Sequence, residues 1–308
     1  MITTVCLNPA IDRSVTVTNL RLDAFNLADS SRSDLGGKAV NVSVALRNLG
    51  VPARCVGFDF DGEPVRRALE EQRIPFEGVA VPGALRVNLK LHDPQAGTMT
   101  EVNERGAAVP EEALEKLDSL LERLLAETRI LVLSGSVPPG VPENIYARLT
   151  EQARKAGVPT LLDAAGPALR DGLKARPWMV KPNRYELETL LGKPLNSRER
   201  VLDALQTLLD GGTEGVCLSM GGDGAYLATS DGVWHSAGVE IPVQGRQGAG
   251  DSMVAGLCMA ALDHLEPAEQ LRCAMAAAHA SLLREGTLLC LREDYLRLAK
   301  EMPVEKLG

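Results

Sequence analysis

From about residue 110 onward the chain alternates amphipathic helices with short apolar strands, and this rhythm restricts the fold more than any other feature. Glu111 to Glu127 carries leucines at helical spacing, Ile130 to Leu133 is wholly apolar, and Pro142 to Ala156 is helical again. Strands follow at Val158 to Leu162, Trp178 to Val180 and Val216 to Ser219, with helices between them at Tyr185 to Leu191 and Glu199 to Leu209. Ala225 to Ala228 and Val233 to Trp234 read as antiparallel additions, and two Ala- and Leu-rich helices, 252–264 and 267–284, close the body. Alternating units of this kind predict an α/β fold: a mostly parallel central sheet with helices on both faces, a three-layer α/β/α sandwich.

The first hundred residues add a second feature. Ile2 to Leu7 is a buried strand stopped by Asn8-Pro9, and Ser14 to Thr18 begins a separate, smaller sheet. Residues 19–35 read as polar and irregular. Gly36-Gly37 then opens a helix from Lys38 that ends at Gly50, followed by a strand (Ala53 to Phe58), a helix (Gly62 to Gln72) and a strand (Phe76 to Val81). Arg86 to His92 alternates strictly, with Val87, Leu89 and Leu91 on one face and Arg86, Asn88, Lys90 and His92 on the other. Thr98 to Val102 can pair back with it. The expectation is one domain, 1–308, with a small β-sheet lid inserted from about 13–33 and 84–104.

In such a sheet ligands gather beyond the C-terminal strand ends, and polar or Gly-rich clusters recur there: Asp12, Ser136, Asn183 and Gly221. The densest cluster is Gly245-Arg246-Gln247-Gly248-Ala249-Gly250-Asp251, directly before an apolar helix. Glycines let backbone N–H groups converge, and a helix start leaves its own N–H groups unpaired, so the stretch can cradle an anion. The same residues also suit a tight loop with Asp251 as helix N-cap. Lys38 and Asn41, three apart, share one face of their helix; the pair fits a phosphate site or a plain helix start with a solvated lysine. The polar face of 86–92 is either half-solvated or reserved for a phosphate.

Formal net charge is −8, which argues against nucleic acid or an anionic membrane as partner, so any bound anion must meet a local group of cations. Six cysteines without a CxxC pair lie mostly in apolar runs, as buried thiols of a reducing cytoplasm would. The N-terminus lacks a basic signal-peptide start, and no apolar run reaches membrane-spanning length. The P-loop GxxxxGK[ST], GxGxxG in a first βα turn, HExxH and GxSxG are all missing, which sets aside nucleotide P-loops, dinucleotide binding, zinc hydrolysis and serine hydrolysis.

Five stretches occur together in order: Leu7-Asn8-Pro9-Ala10-Ile11-Asp12, Gly36-Gly37-Lys38-Ala39-Val40-Asn41-Val42, Ser134-Gly135-Ser136-Val137-Pro138-Pro139-Gly140, Lys181-Pro182-Asn183-Arg184-Tyr185-Glu186-Leu187 and Gly248-Ala249-Gly250-Asp251. In this they resemble the ribokinase-like sugar kinases of the PfkB family, across essentially the whole chain. Its phosphosugar branch includes 1-phosphofructokinase, tagatose-6-phosphate kinase and the minor 6-phosphofructokinase. Thr100 to Glu104 and Pro177 to Asn183 look most like the first of these.

The resemblance implies a kinase using ATP and Mg²⁺ on a ketohexose phosphate, foremost fructose 1-phosphate. The alternatives are tagatose 6-phosphate, fructose 6-phosphate, or a catalytically weak sugar-phosphate sensor. It implies that Asp251 is the base and that Gly248, Ala249 and Gly250 hold the transferred phosphoryl. Asp12, Gly37 and Ser136 would then contact the sugar, while Lys38, Arg86, Lys90 and Asn41 clamp its phosphate. Lys181, Ser219, Gly221, Gly224 and Arg246 would border the nucleotide, with Asn183 and Glu186 positioning Mg²⁺ through water. A homodimer through the lids is implied as well, since exposed sheet edges invite a partner. Arg246 and Arg284 stand where the family carries smaller residues, and Ala39 where it carries Gly; a catalytically weak chain would follow if the arginines crowd the nucleotide.

Overall fold

The computed structural model describes residues 1–245, 247–284 and 288–307. The chain begins with β1 (Ile2–Cys6), β2 (Ala10–Thr16), β3 (Ser30–Gly36), α1 (Lys38–Leu49), β4 (Ala53–Asp59), α2 (Pro64–Glu71) and β5 (Phe76–Ala80). It continues through β6 (Arg86–Asp93), β7 (Thr98–Asn103), α3 (Glu111–Leu125), β8 (Ile130–Ser134), α4 (Ile145–Lys155), β9 (Thr160–Asp163), α5 (Gly166–Leu173) and β10 (Met179–Val180). The last part holds α6 (Arg184–Leu191), α7 (Arg198–Asp210), β11 (Gly215–Ser219), β12 (Ala225–Thr229), β13 (Gly232–Ser236), α8 (Ala249–Leu262), α9 (Pro267–Leu282), α10 (Arg292–Glu301) and β14 (Glu305–Leu307).

The large sheet has the order β14-β13-β12-β11-β10-β9-β8-β1-β4-β5. From β5 to β11 every pairing is parallel, and β12 to β14 are added antiparallel. The parallel strands are apolar on both sides because both sides are covered. Along β8, Ile130 and Val132 enter one core while Leu131 and Leu133 enter the other; Leu161 and Leu162 of β9 divide the same way. The first core is closed by α1, α8, α9 and α10 and the second by α3, α4 and α7. Each fully buried Leu or Val contributes about 1.5–3 kcal/mol, so two such layers fix the strand ends that carry the site.

The smaller sheet, ordered β3-β2-β6-β7, is reached directly from the central strand: β2 starts four residues after β1 ends. Its β2–β6 pairing is parallel, in register Asp12↔Asn88 and Ser14↔Lys90. One element differs from the sequence reading, and α5, α10 and β14 stand where it assigned nothing. Residues 30–36 form β3 rather than irregular chain; a strand mostly of Ser, Arg and Asp has no apolar alternation to reveal it, and it is held by backbone pairing with β2 and by Leu35 against the core. Gly166-Pro167 opens α5, with Pro in the first helical turn, where its missing N–H costs nothing. The charged α10 buries only Tyr295 and Leu298.

No helix among the described residues is long and apolar enough to cross a membrane. All six cysteines are buried and unpaired.

Candidate active site

α8 starts earlier than its apolar run suggests. Gly248 is its N-cap, in a left-handed conformation (φ 73°) that places the next residues in the first turn, so Asp251 lies inside the helix and does not cap it. No side chain caps this end, which leaves the first-turn N–H groups of Gly248-Ala249-Gly250-Asp251 facing outward with the positive end of the helix dipole behind them. Asp251 is only 6% exposed, and its Oδ2 accepts a 2.7 Å hydrogen bond from Asn41 Nδ2. Asn41 comes from the first turn of α1, which Gly37 (φ 113°) opens without a side-chain cap. The two glycine-started helices therefore meet tip to tip.

Lys38, one turn before Asn41, reaches the same place. Its Nζ lies 3.0 Å from Asp163 Oδ1 and 3.8 Å from Glu186 Oε1. Asp163 ends β9 at the ligand edge of the sheet, is fully buried, and also meets Lys181 Nζ at 3.3 Å and Ser134 Oγ at 3.3 Å. Lys181 in turn approaches the cradle: a Cβ on Gly250 would stand 3.5 Å from its Nζ. Burial alone would raise the Asp163 carboxyl, but the two ammonium groups outweigh it and hold it below the usual carboxylate range. Burial likewise opposes charge on Lys38, yet the carboxylates of Asp163, Glu186 and Asp251 hold its ammonium above the usual lysine value. Asp251 gains least. Burial first, and Asp163 second, push its carboxyl up to about 6 against the pull of Lys38, Asn41 and Lys181. A carboxylate near neutrality beside a ring of N–H donors is suited to accepting a proton.

The second group sits on the smaller sheet. Asp12 is 7% exposed and accepts from Lys90 Nζ at 2.9 Å (Oδ2) and Asn88 Nδ2 at 2.8 Å (Oδ1). Gly36 is required beside it, because a Cβ there would fall 2.5 Å from Asp12 Cγ. Arg86 donates to Asn8 O at 3.2 and 3.0 Å, to Asn88 Oδ1 at 2.9 Å and to Glu104 O at 3.1 Å. Asn8 Nδ2 donates to Ser136 Oγ at 3.0 Å, so Asn8, just after β1, links Arg86 of the smaller sheet to the loop after β8. Between the groups lies a cleft of about 740 Å³, lined by Asn8, Lys38, Arg86, Arg105, Ser136 and Glu186 among others. Asp251, Asp12 and Lys90 are not among the lining residues; Asp251 adjoins them through Lys38, and Asp12 through Asn88.

Each of the four residues expected to clamp the phosphate has a partner within the chain. Lys90 is paired with Asp12 in a buried ion pair, Asn41 is committed to Asp251, and Lys38 is neutralised by Asp163. Of the four, Arg86 alone has only neutral acceptors. Arg105, which sequence reading passed over, lines the same cleft and makes no ion pair among the described residues. Asp163 was passed over too, although an acidic residue ending a parallel strand was the signal.

Around the remaining strand ends, Asn183 and Glu186 form a reciprocal capping box on α6: Glu186 N donates to Asn183 Oδ1 at 2.8 Å and Asn183 N to Glu186 Oε2 at 2.8 Å. That commits the Asn183 side-chain oxygen to the helix and leaves Glu186 Oε1 turned toward Lys38. Ser219 bridges to Asn183 at the end of β11, with Ser219 N donating to Pro182 O at 3.1 Å. Beyond it the backbone turns through Gly221 (φ 63°) and Gly224 (φ 83°), and a Cβ on Gly224 would overlap Ser236 O. Arg184 pairs with Asp223 across this turn. Arg246 lies outside the described residues. Arg284 follows α9 and is held by Asp294 of α10, so its charge is already matched. Among the described residues no three His, Cys, Asp or Glu side chains converge to hold a metal directly.

Against known proteins, the pfkB family carbohydrate kinase profile matches residues 4–294. The chain is 37% identical to 1-phosphofructokinase of Rhodobacter capsulatus over 312 aligned residues, covering 99% of this chain and 98% of that one. The structure of Escherichia coli phosphofructokinase-2 in complex with substrates and products superimposes with a TM-score of 0.92 at 27% identity, covering 98% of this chain and 99% of that one. Arabidopsis thaliana ribokinase, complexed with ribose and ATP, shares the fold at a TM-score of 0.79 and 21% identity, with 97% and 98% covered. Both the sequence match and the shared architecture lead to one assignment: this chain belongs to the pfkB family of carbohydrate kinases.

Proposed function

We propose that the chain transfers the γ-phosphoryl group of ATP to the 6-hydroxyl of fructose 1-phosphate, giving fructose 1,6-bisphosphate and ADP. The observation that carries this is the pairing of Asp251, a buried carboxylate of raised pKa, with the uncapped α8 tip, beside Lys38 of a cleft that Arg86 and Arg105 also line. The naming of the Rhodobacter capsulatus relative supports the choice of sugar.

In this reading the acceptor hydroxyl gives its proton to Asp251 as its oxygen bonds the γ-phosphorus, and the bond to the ADP oxygen breaks. The N–H groups at Gly248, Ala249 and Gly250, with Lys181 beside them, hold the charge that gathers on the phosphoryl oxygens. Asn41 orients Asp251 through Oδ2, leaving Oδ1 for the proton. Asp12, fixed by Lys90 and Asn88, accepts from sugar hydroxyls. Arg86 and Arg105 meet the phosphate the sugar already carries. Glu186, through Oε1, and Asn183 beside it would hold Mg²⁺ through water; the ion would supply positive charge against the ATP phosphates.

Association of two copies through the smaller sheet is part of the same reading, supported by Leu22, Phe25 and Leu27, which are 93, 86 and 77% exposed beside it. A monomer by light scattering at micromolar concentration would refute that part. ADP release should be measured with fructose 1-phosphate, tagatose 6-phosphate and fructose 6-phosphate in parallel. The highest kcat/KM with fructose 1-phosphate is expected; a higher value for either other sugar refutes the choice of acceptor, and no turnover with any refutes the reaction.

A further inference from the structure

Among the described residues seven non-glycine residues have positive φ. Six of them, Asn19, Asp23, Glu63, Arg73, Arg176 and His264, are polar and exposed, as turn residues are. The seventh is Leu289, with φ 58° and 1% exposure. A branched apolar side chain is strained in the left-handed region, and such strain persists only where surrounding structure enforces it. Its neighbours do so. Leu288 O accepts from Asn48 Nδ2 of α1 at 3.2 Å, and Cys290 Sγ lies 4.0 Å from Ala45 O of the same helix.

What the strained residue touches is Gly248. A Cβ built on Gly248 would overlap Leu289 Cδ2, so the leucine methyl already occupies the space behind that Cα. Gly248 has no side-chain cap to set its direction, and the aim of the first-turn N–H groups depends on its left-handed φ. We propose that Leu289 is a positioning residue: pinned to α1 on either side, it presses on Gly248 and holds the α8 tip in the orientation that receives the transferred phosphoryl. If Leu289 relaxed to negative φ its side chain would swing off Gly248, which is why strain is retained at this position. The inference rests on the kinase reading above.

The test is a kinetic double-mutant cycle on the full chain with ATP and fructose 1-phosphate. Leu289→Ala should lower kcat roughly tenfold or more while KM for the sugar phosphate stays within about twofold, since misaimed donors affect the transition state and leave acceptor binding alone. Gly248→Ala should cost about a hundredfold in the wild-type background, where its Cβ meets Leu289, and about tenfold or less in the Leu289→Ala background, where that space is open. Leu289→Met, which keeps volume but ends in a flexible chain, should lower kcat with little change in Tm. Unchanged kcat in both Leu289 variants, or an equal Gly248→Ala factor in both backgrounds, overturns the inference alone. A wild-type chain without turnover on any ketohexose phosphate overturns the kinase reading and this inference with it.

Discussion

Replacing Asp251 by Asn should make the protein more stable at neutral pH while abolishing turnover. The folded chain holds the Asp251 carboxyl at about 6, against an ordinary value of 3.8. Ionising this group therefore costs more in the folded state than in the unfolded one. That separation corresponds to about 3 kcal/mol, at 1.36 kcal/mol per pH unit. Below about pH 4 the group is protonated in both states, and wild type and Asp251→Asn should unfold alike. Between about 4 and 6 the folded state keeps its proton while the unfolded state loses it, so wild-type stability falls as pH rises and the variant's does not. Above about 6 the gap is complete. For 308 residues, with an unfolding entropy of about 2.1 cal/mol/K per residue, 3 kcal/mol moves Tm by roughly 4–5 °C. Asn41 retains an acceptor, the amide oxygen of the new Asn, so its hydrogen bond is preserved. The assay is differential scanning calorimetry of both proteins from pH 4 to 8. A Tm difference that is absent at pH 7, reversed, or constant over that range would refute the reasoning. In wild type, kcat/KM should rise with pH through about 6 on its acid limb; a flat profile there would remove Asp251 as base.

Lys90→Met leaves Asp12 buried without its ammonium partner, which should destabilise the fold by about 3 kcal/mol or more, and Lys90→Met with Asp12→Asn should recover much of that in urea melts. Arg86→Gln should raise KM for the sugar phosphate by roughly ten- to 150-fold, from 1.5–3 kcal/mol of charge-assisted binding, with KM for ATP unchanged; equal KM values would remove Arg86 from the acceptor site. Gly36→Ala puts a methyl where the Asp12 carboxyl lies, so KM for the sugar should rise at least roughly fivefold, and wild-type KM would show that Asp12 does not touch the sugar.

The parallel body was legible because strands buried on both faces are written as unbroken apolar runs, and the helices between them as amphipathic ones. Ile130 to Ser134 and Thr160 to Asp163 have no other reading at that length. Spacing and resemblance assign Asp251 to the donor phosphoryl and Lys38 and Asn41 to the sugar phosphate, and give no sign of the direct Asn41–Asp251 hydrogen bond. What did not show was which partner each charge would choose. Lys90 alternates with Val and Leu just as Arg86 does, yet four residues along β6 decide that one faces Asp12 and the other the backbone oxygen of Asn8. Asp163 lacked any motif of its own, since a single acid at a strand end gains importance only from two lysines delivered by α1 and the segment after β10. β3 and the conformation of Leu289 belong to the same class: both are set by backbone packing against distant chain, and local sequence carries little trace of either.

The division of polar groups between the two sheets has a consequence for side reactions. Asp12, Asn88, Lys90 and Arg86 ride on the smaller sheet, while Asp251, Lys181 and Glu186 belong to the body, and Asn8 and Ser136 span the joint. In the proposed reaction, groups that would recognise the acceptor thus sit on one sheet and groups that would activate the donor on the other. A water molecule has neither the hydroxyl pattern nor the anionic handle to engage the first set, so this division would restrain wasteful hydrolysis of ATP.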